Sequence, residues 1–197
     1  MVAPAVVAQD DDVRRRRILE AAIATFLRYG YRKTSMEQVA RAGDISRQGL
    51  YLHFPTKEDL FRAGVAFVFA GALADATAKL RDADASIEEK LVGAFDEWIG
   101  RFVGMIGGDV SDLEAASKHL VGPLIADGEA AFLDALTKVI RTAGLAGAYR
   151  SAGLTAKQLA ETLNATARGL KHSCATRAEF TERFSIAVRA MCTPLSG

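Results

Sequence analysis

Apolar side chains recur along this chain at intervals of three and four. Ile18, Ala22 and Phe26 form one such row, flanked by Leu19 and Ile23. Ile87, Leu91, Phe95, Trp98, Phe102 and Met105 form a second, Leu159, Leu163, Thr166, Leu170 and Cys174 a third, and Phe180, Phe184, Val188 and Met191 a fourth. This is the period of an amphipathic helix, and no stretch sustains the two-residue alternation of a strand. Start signals agree: Thr34 with Glu37, Thr56 with Asp59, Ser86 with Glu89, Ser111 with Glu114, Thr155 with Gln158 and Thr176 with Glu179 have capping-box spacing, and Ser46 is a further N-cap. Gly30 and Pro55 are natural stops. The pattern predicts an all-α fold of about nine helices, over 12–29, 35–42, 47–52, 57–81, 87–106, 112–121, 127–150, 156–174 and 177–191.

Charge changes this picture. The 197 residues carry 25 Lys and Arg against 24 Asp and Glu, a net charge of +1 that by itself argues against a nucleic-acid binder. Resolved along the chain, residues 13–62 hold 11 basic and 5 acidic side chains, a net +6, while the remainder is mildly acidic. Residues 1–12 lack a basic stretch ahead of their apolar run and end in Asp10, Asp11 and Asp12, so they read as a disordered tail rather than a signal peptide. Cys174 and Cys192 are too few for a disulfide framework and suit a reducing cytoplasm. The longest uncharged stretch, residues 63–74, is short for a bilayer span, so no membrane partner is expected.

Within the cationic segment, two short helices separated by Gly43, Asp44 and Ile45 have the makings of a helix-turn-helix. Ala40 is small enough for close helix approach, Asp44 tolerates positive φ, Ile45 is an apolar anchor, and Ser46 caps the second helix. Phe26, Gly30, Tyr31, Thr34, Ser35, Val39, Ala40, Ser46, Leu50, Tyr51, His53, Phe54, Lys57, Glu58 and Leu60 together resemble the DNA-binding signature of TetR/AcrR-type transcriptional regulators. The resemblance spans about residues 13–64. It departs from the family at Asp44, where Gly is usual, and at Gly49, where a small hydroxyl residue or Ala is commoner and where a close backbone approach to DNA is one reading.

The resemblance implies a DNA-binding domain over 13–72 and a ligand-sensing, dimerising domain over 73–197. Arg47 and Gln48, in the first turn of the recognition helix, are expected to read base edges, since Arg pairs with guanine and Gln with adenine. Thr34, Ser46, Tyr51, His53 and Lys57 match family positions that hold phosphates. Arg14 to Arg17 either reach the DNA or form a solvated face neutralised by the preceding aspartates.

Beyond residue 61 periodicity is the main guide. The row containing Phe95, Trp98, Phe102 and Met105 is core, and part of it lines the apolar effector pocket that the resemblance implies. Gly93, Gly100 and Gly104, on the opposite arc, suggest close approach of another helix. In the family the last two helices pair with their two-fold mates, which nominates Leu163, Ala167, Leu170, Phe184 and Val188 for a homodimer interface. No nucleophile elbow, phosphate loop or metal-ligand spacing occurs, so no catalytic residue, cofactor or metal is expected. The expected function is operator binding, with release by a small, largely apolar effector. Alternatives are an effector-independent regulator or activator, or a helical small-molecule binder or enzyme with a vestigial DNA domain.

Overall fold

The structure is a computed structural model that describes residues 4–104 and 110–193. Among these are nine α-helices and no strand. They are α1 (Pro4–Tyr29), α2 (Met36–Ala42), α3 (Arg47–His53), α4 (Lys57–Arg81), α5 (Ile87–Trp98), α6 (Val110–Thr142), α7 (Leu145–Ala148), α8 (Ala156–Ser173) and α9 (Arg177–Cys192). Short 3-10 turns lie at Gly100–Phe102 and Arg150–Ala152. The chain divides into two compact units, Met1–Val68 with Ile106–Leu124, and Phe69–Met105 with Ile125–Gly197.

In the first unit Ile18, Leu19, Ala22 and Phe26 of α1, Val39 and Ala40 of α2, Leu50 of α3, and Leu60 and Phe61 of α4 are all buried. Phe26 and Phe61 meet edge to face with ring centroids 5.1 Å apart. The α2 cap lies one residue beyond the predicted Thr34. Ser35 accepts from the Gln38 N–H, and the Gln38 side chain accepts from the Ser35 N–H. Thr34 is taken inward instead, its hydroxyl donating to the Gly30 carbonyl at 2.7 Å.

Two predicted helices, 112–121 and 127–150, are redistributed. α6 runs unbroken through Pro123 to Thr142, and α7 is separate. An interior proline removes one backbone hydrogen bond and costs roughly 3 kcal/mol. Burial of Val121, Phe132, Leu136 and Ile140 along the same helix outweighs that penalty. The break comes instead at Gly144, held at φ 73°. The Ser111–Glu114 box lies outside the described side chains.

In the second unit Phe95 is fully buried, edge to face with Phe132 at 5.1 Å and tilted against Phe184 at 4.6 Å. α5 ends at Trp98, short of the predicted 106. At Gly100 a Cβ would come within 2.7 Å of Asp96 Oδ1 and 2.9 Å of the Phe180 ring, and Gly104 has φ 73° with the Ala175 carbonyl 2.7 Å from where its Cβ would be. Both glycines therefore let α5 and its following turn meet the start of α9 and the loop before it. An ionic cluster closes that junction. Arg177 grips Asp96 through two hydrogen bonds of 2.9 and 2.6 Å, Thr181 donates to Asp96 at 2.7 Å, and Arg101 joins Asp75 and Glu97. Burial pushes the Asp96 carboxyl up, but hydrogen bonds from Arg177 and Thr181 outweigh it and hold it below the usual carboxylate range.

The residues nominated for the dimer interface need correction. Leu163, Ala167, Phe184 and Val188 are at most 1% exposed within the single chain, so their side chains pack their own core, and only Leu170 is half-buried. The seam seen in the sequence is the inner face of α8 and α9. The outer face of α8 shows Thr162, Ala165 and Gly169, and that of α9 shows Ile186 at 56% exposure. Among the described helices α4 alone is long and apolar enough to cross a membrane by length and composition. A third of its most apolar window is buried, and Leu60, Phe61, Val65, Ala72, Ala76 and Leu80 are among the buried residues of the helix.

Candidate nucleic-acid interface

The turn between α2 and α3 is built by local chemistry. The Gly43 N–H donates to the Val39 carbonyl and the Ile45 N–H to the Ala40 carbonyl, at 2.9 and 3.0 Å. Asp44 bridges them at φ 50°, the one described non-glycine residue with positive φ. Ser46 then caps α3 by accepting from the Gly49 N–H at 3.0 Å. Leu50, fully buried, fixes which face of α3 turns inward.

The opposite arc of α3 carries Arg47, Gln48, Tyr51 and Leu52, all exposed. The Arg47 guanidinium lies 5.7 Å over the Tyr51 ring, which steers the side chain without consuming its donors. Ser46 is exposed, and while its oxygen caps the helix its proton remains free to donate. His53 is half-buried beside the Phe54 ring. Gly49 is explained inside the protein: a Cβ there would stand 3.0 Å from Ile45 Cγ1 and 3.1 Å from Ser46 Oγ. The turn's apolar anchor Ile45 and the cap Ser46 therefore crowd this position from inside the protein.

Two expected phosphate contacts face elsewhere. Thr34 is 2% exposed with its hydroxyl turned to Gly30. Lys57 sits 4.6 Å over the Tyr31 ring and donates to the carbonyls of Tyr31, Arg32 and Thr34 at 3.2, 3.5 and 3.2 Å. An ammonium has three N–H bonds, and these three carbonyls take them. Lys57 is thus the staple of the α1–α2 loop. Tyr31 belongs to the same staple. Burial, then the hydrogen bond to Glu58, pushes its hydroxyl up to about 12, so it stays a donor to the Glu58 carboxylate at 3.0 Å. From α6, Asp112 accepts the Arg32 backbone N–H at 2.7 Å and pairs with its guanidinium at 3.2 Å. Sequence reasoning missed Asp112, whose partner lies 80 residues away.

The arginine run divides. Arg15 lies 4.7 Å over the Phe54 ring and Arg16 pairs with Glu20 at 3.1 Å. Arg14 and Arg17 line a groove of about 560 Å³ with Asp11, Gly43, Asp44 and Ile45. Of the nominated effector-pocket residues, Phe95 is buried, Trp98 packs between Phe69 and Phe132, Phe102 stacks on Phe69, and Met105 lies outside the described residues.

Residues 18–63 match the family model of bacterial regulatory proteins of the tetR family. The chain is similar to the uncharacterized HTH-type transcriptional regulator YfiR of Bacillus subtilis, 39% identical over 61 residues, which cover 31% of this chain and 30% of YfiR. It is also similar to the HTH-type transcriptional regulator RutR of Escherichia coli, 38% identical over 50 residues, 25% of this chain and 24% of RutR. The matched segment thus spans less than a third of these relatives. Over the whole fold it is similar to Salmonella enterica GusR, with TM-score 0.63 and 22% identity, covering 91% of this chain and 93% of that one. A similar relation holds to the fatty acid degradation regulator FadR of Bacillus halodurans, with TM-score 0.65 and 15% identity over 92% and 99% of the two chains. An Asp44 turn, a Ser46-capped α3 and the matched residues 18–63 identify the N-terminal segment as the helix-turn-helix domain of the bacterial tetR regulatory family, on a chain with the fold of TetR-type regulators.

Proposed function

We propose that this chain is a sequence-specific DNA-binding transcriptional repressor, acting in the cytoplasm as a homodimer and released from its operator by a small, largely apolar effector. The outward display of Arg47, Gln48 and Tyr51 on a short capped helix, within a segment of net +6, is the observation that carries the reading. Arg47 and Gln48 read base edges in the major groove, Ser46 and Tyr51 donate to phosphates, and His53 sits at the margin. Arg14 and Arg17 extend the cationic rim, while Thr34 and Lys57 hold the loop behind it. Two copies place two α3 helices in successive major grooves, and the outer faces of α8 and α9 are the surfaces for that pairing.

The effector acts by population shift in the second unit, where Trp98, Phe102 and Phe69 form an aromatic wall. By linkage, operator DNA and effector weaken each other by one common factor. The close packing of Phe95 favours a second reading, an effector-independent regulator. Selection of binding sites from random DNA tests the main proposal. It predicts enrichment of one two-fold symmetric site, bound with an affinity that falls steeply with salt. Failure to enrich any site would overturn it. Screening apolar compounds by operator release separates the two regulator readings.

A further inference from the structure

Leu52 is 81% exposed, the most exposed of the large apolar side chains described. It shares its seven-residue helix with Leu50, which is fully buried, so its exposure follows from the face it occupies and not from loose packing. That face is the one that carries Gln48, four residues earlier, with Arg47 and Tyr51 beside it. An apolar group set among base-reading side chains has one matching feature in a DNA major groove. The C5 methyl of thymine is the only hydrocarbon substituent on the four base edges there.

We propose that Leu52 is a specificity-determining residue that selects thymine by packing its isobutyl group on the C5 methyl. The inference rests on the DNA-binding reading above. Leu52 lies about 6 Å along the helix axis from Gln48, so the thymine it selects stands one or two base steps from the pair read by Gln48. Neither Leu nor methyl has a hydrogen bond to offer, so discrimination comes from apolar surface alone. Removal of one buried methyl corresponds to about a fourfold loss of affinity.

The test is a cycle with the wild-type protein and Leu52→Ala on the operator recovered by selection, with each thymine replaced in turn by deoxyuridine, which lacks only the methyl. Binding is read by fluorescence anisotropy at fixed salt. Wild type is expected to lose about fourfold at one thymine in each half-site. Leu52→Ala is expected to bind the parent operator more weakly and to ignore that same replacement. Because Leu52 is exposed, its truncation leaves the melting temperature unchanged. Three results would overturn the proposal: wild type indifferent to every deoxyuridine, Leu52→Ala retaining the full methyl preference, or Leu52→Ala altering self-association at unchanged DNA affinity. Specific binding without methyl dependence defeats this inference alone, whereas no specific binding to any DNA defeats the parent reading with it.

Discussion

Cations are used in opposite ways on α3 of the first unit and at the α5 and α9 junction of the second. On α3 of the first unit Arg47 stands outward, over a tyrosine ring and paired with no described carboxylate. At the α5 and α9 junction of the second unit Arg177 and Arg101 are locked onto Asp96, Glu97 and Asp75. The same guanidinium chemistry is an interaction surface in one place and a structural clasp in the other. The difference teaches that net charge is a guide to binding only after internal pairs are subtracted. Lys57 extends the lesson inside the first unit, being part of the +6 segment yet committed to three carbonyls of its own loop.

The largest expected effect comes from Lys57→Ala. Loss of three hydrogen bonds from a half-buried ammonium should destabilise the first unit by about 2 kcal/mol, read by chemical denaturation. Once corrected for folded fraction, the slope of log affinity against log salt should match wild type. A phosphate contact would instead reduce that slope by about 0.9. Arg177→Ala, which strands Asp96, should cost about 1–2 kcal/mol, a figure already reduced because the guanidinium is 44% exposed. Since the Asp96 carboxyl is held below its ordinary value by that clasp, the stability it contributes is present above about pH 4 and lost as pH falls further. The acid limb of the wild-type stability profile should therefore flatten in the variant.

A third prediction concerns Tyr31. Its hydroxyl is pushed up to about 12, and a group whose folded value is raised contributes stability that is complete below the unfolded value, near 10, and is lost as pH rises to about 12. Tyrosinate absorbance should show Tyr31 titrating late in the folded protein, and Glu58→Gln should bring it earlier. The smallest effect is expected for Gly49→Ala. The gain of roughly 1 kcal/mol in helix propensity is offset by contact with Ile45. Stability should change by less than about 0.5 kcal/mol, with DNA affinity preserved.

What was legible in the sequence was what neighbours in sequence decide. The Asp44 turn and the Ser46, Ser86 and Thr155 caps depend on residues within about one helical turn, and all stand as read. The Thr34 and Ser35 exchange shows the limit, because the hydroxyl of Thr34 was claimed by Gly30 and Thr25 across a loop. Lys57 and Asp112 were hidden for the same reason, their partners lying 23 to 80 residues away. In α8 and α9 the apolar seam was visible, but its direction was not. Periodicity identifies a buried face without saying whether its cover is the same chain or a second copy. The join of the predicted 112–121 and 127–150 helices through Pro123 was hidden because it depends on the long-range burial of Phe132, Leu136 and Ile140.

The central claim is that the outward arc of α3 reads base pairs. It is tested most directly by selecting sites from random DNA with wild type, Arg47→Ala and Lys57→Ala in parallel. The account predicts a symmetric wild-type site with half-sites about one turn apart, ~34 Å. Arg47→Ala should lose its base preference at one position in each half-site, a change of about 1–3 kcal/mol. Lys57→Ala should recover the wild-type site unchanged. A site recovered intact by Arg47→Ala but altered by Lys57→Ala would contradict the account.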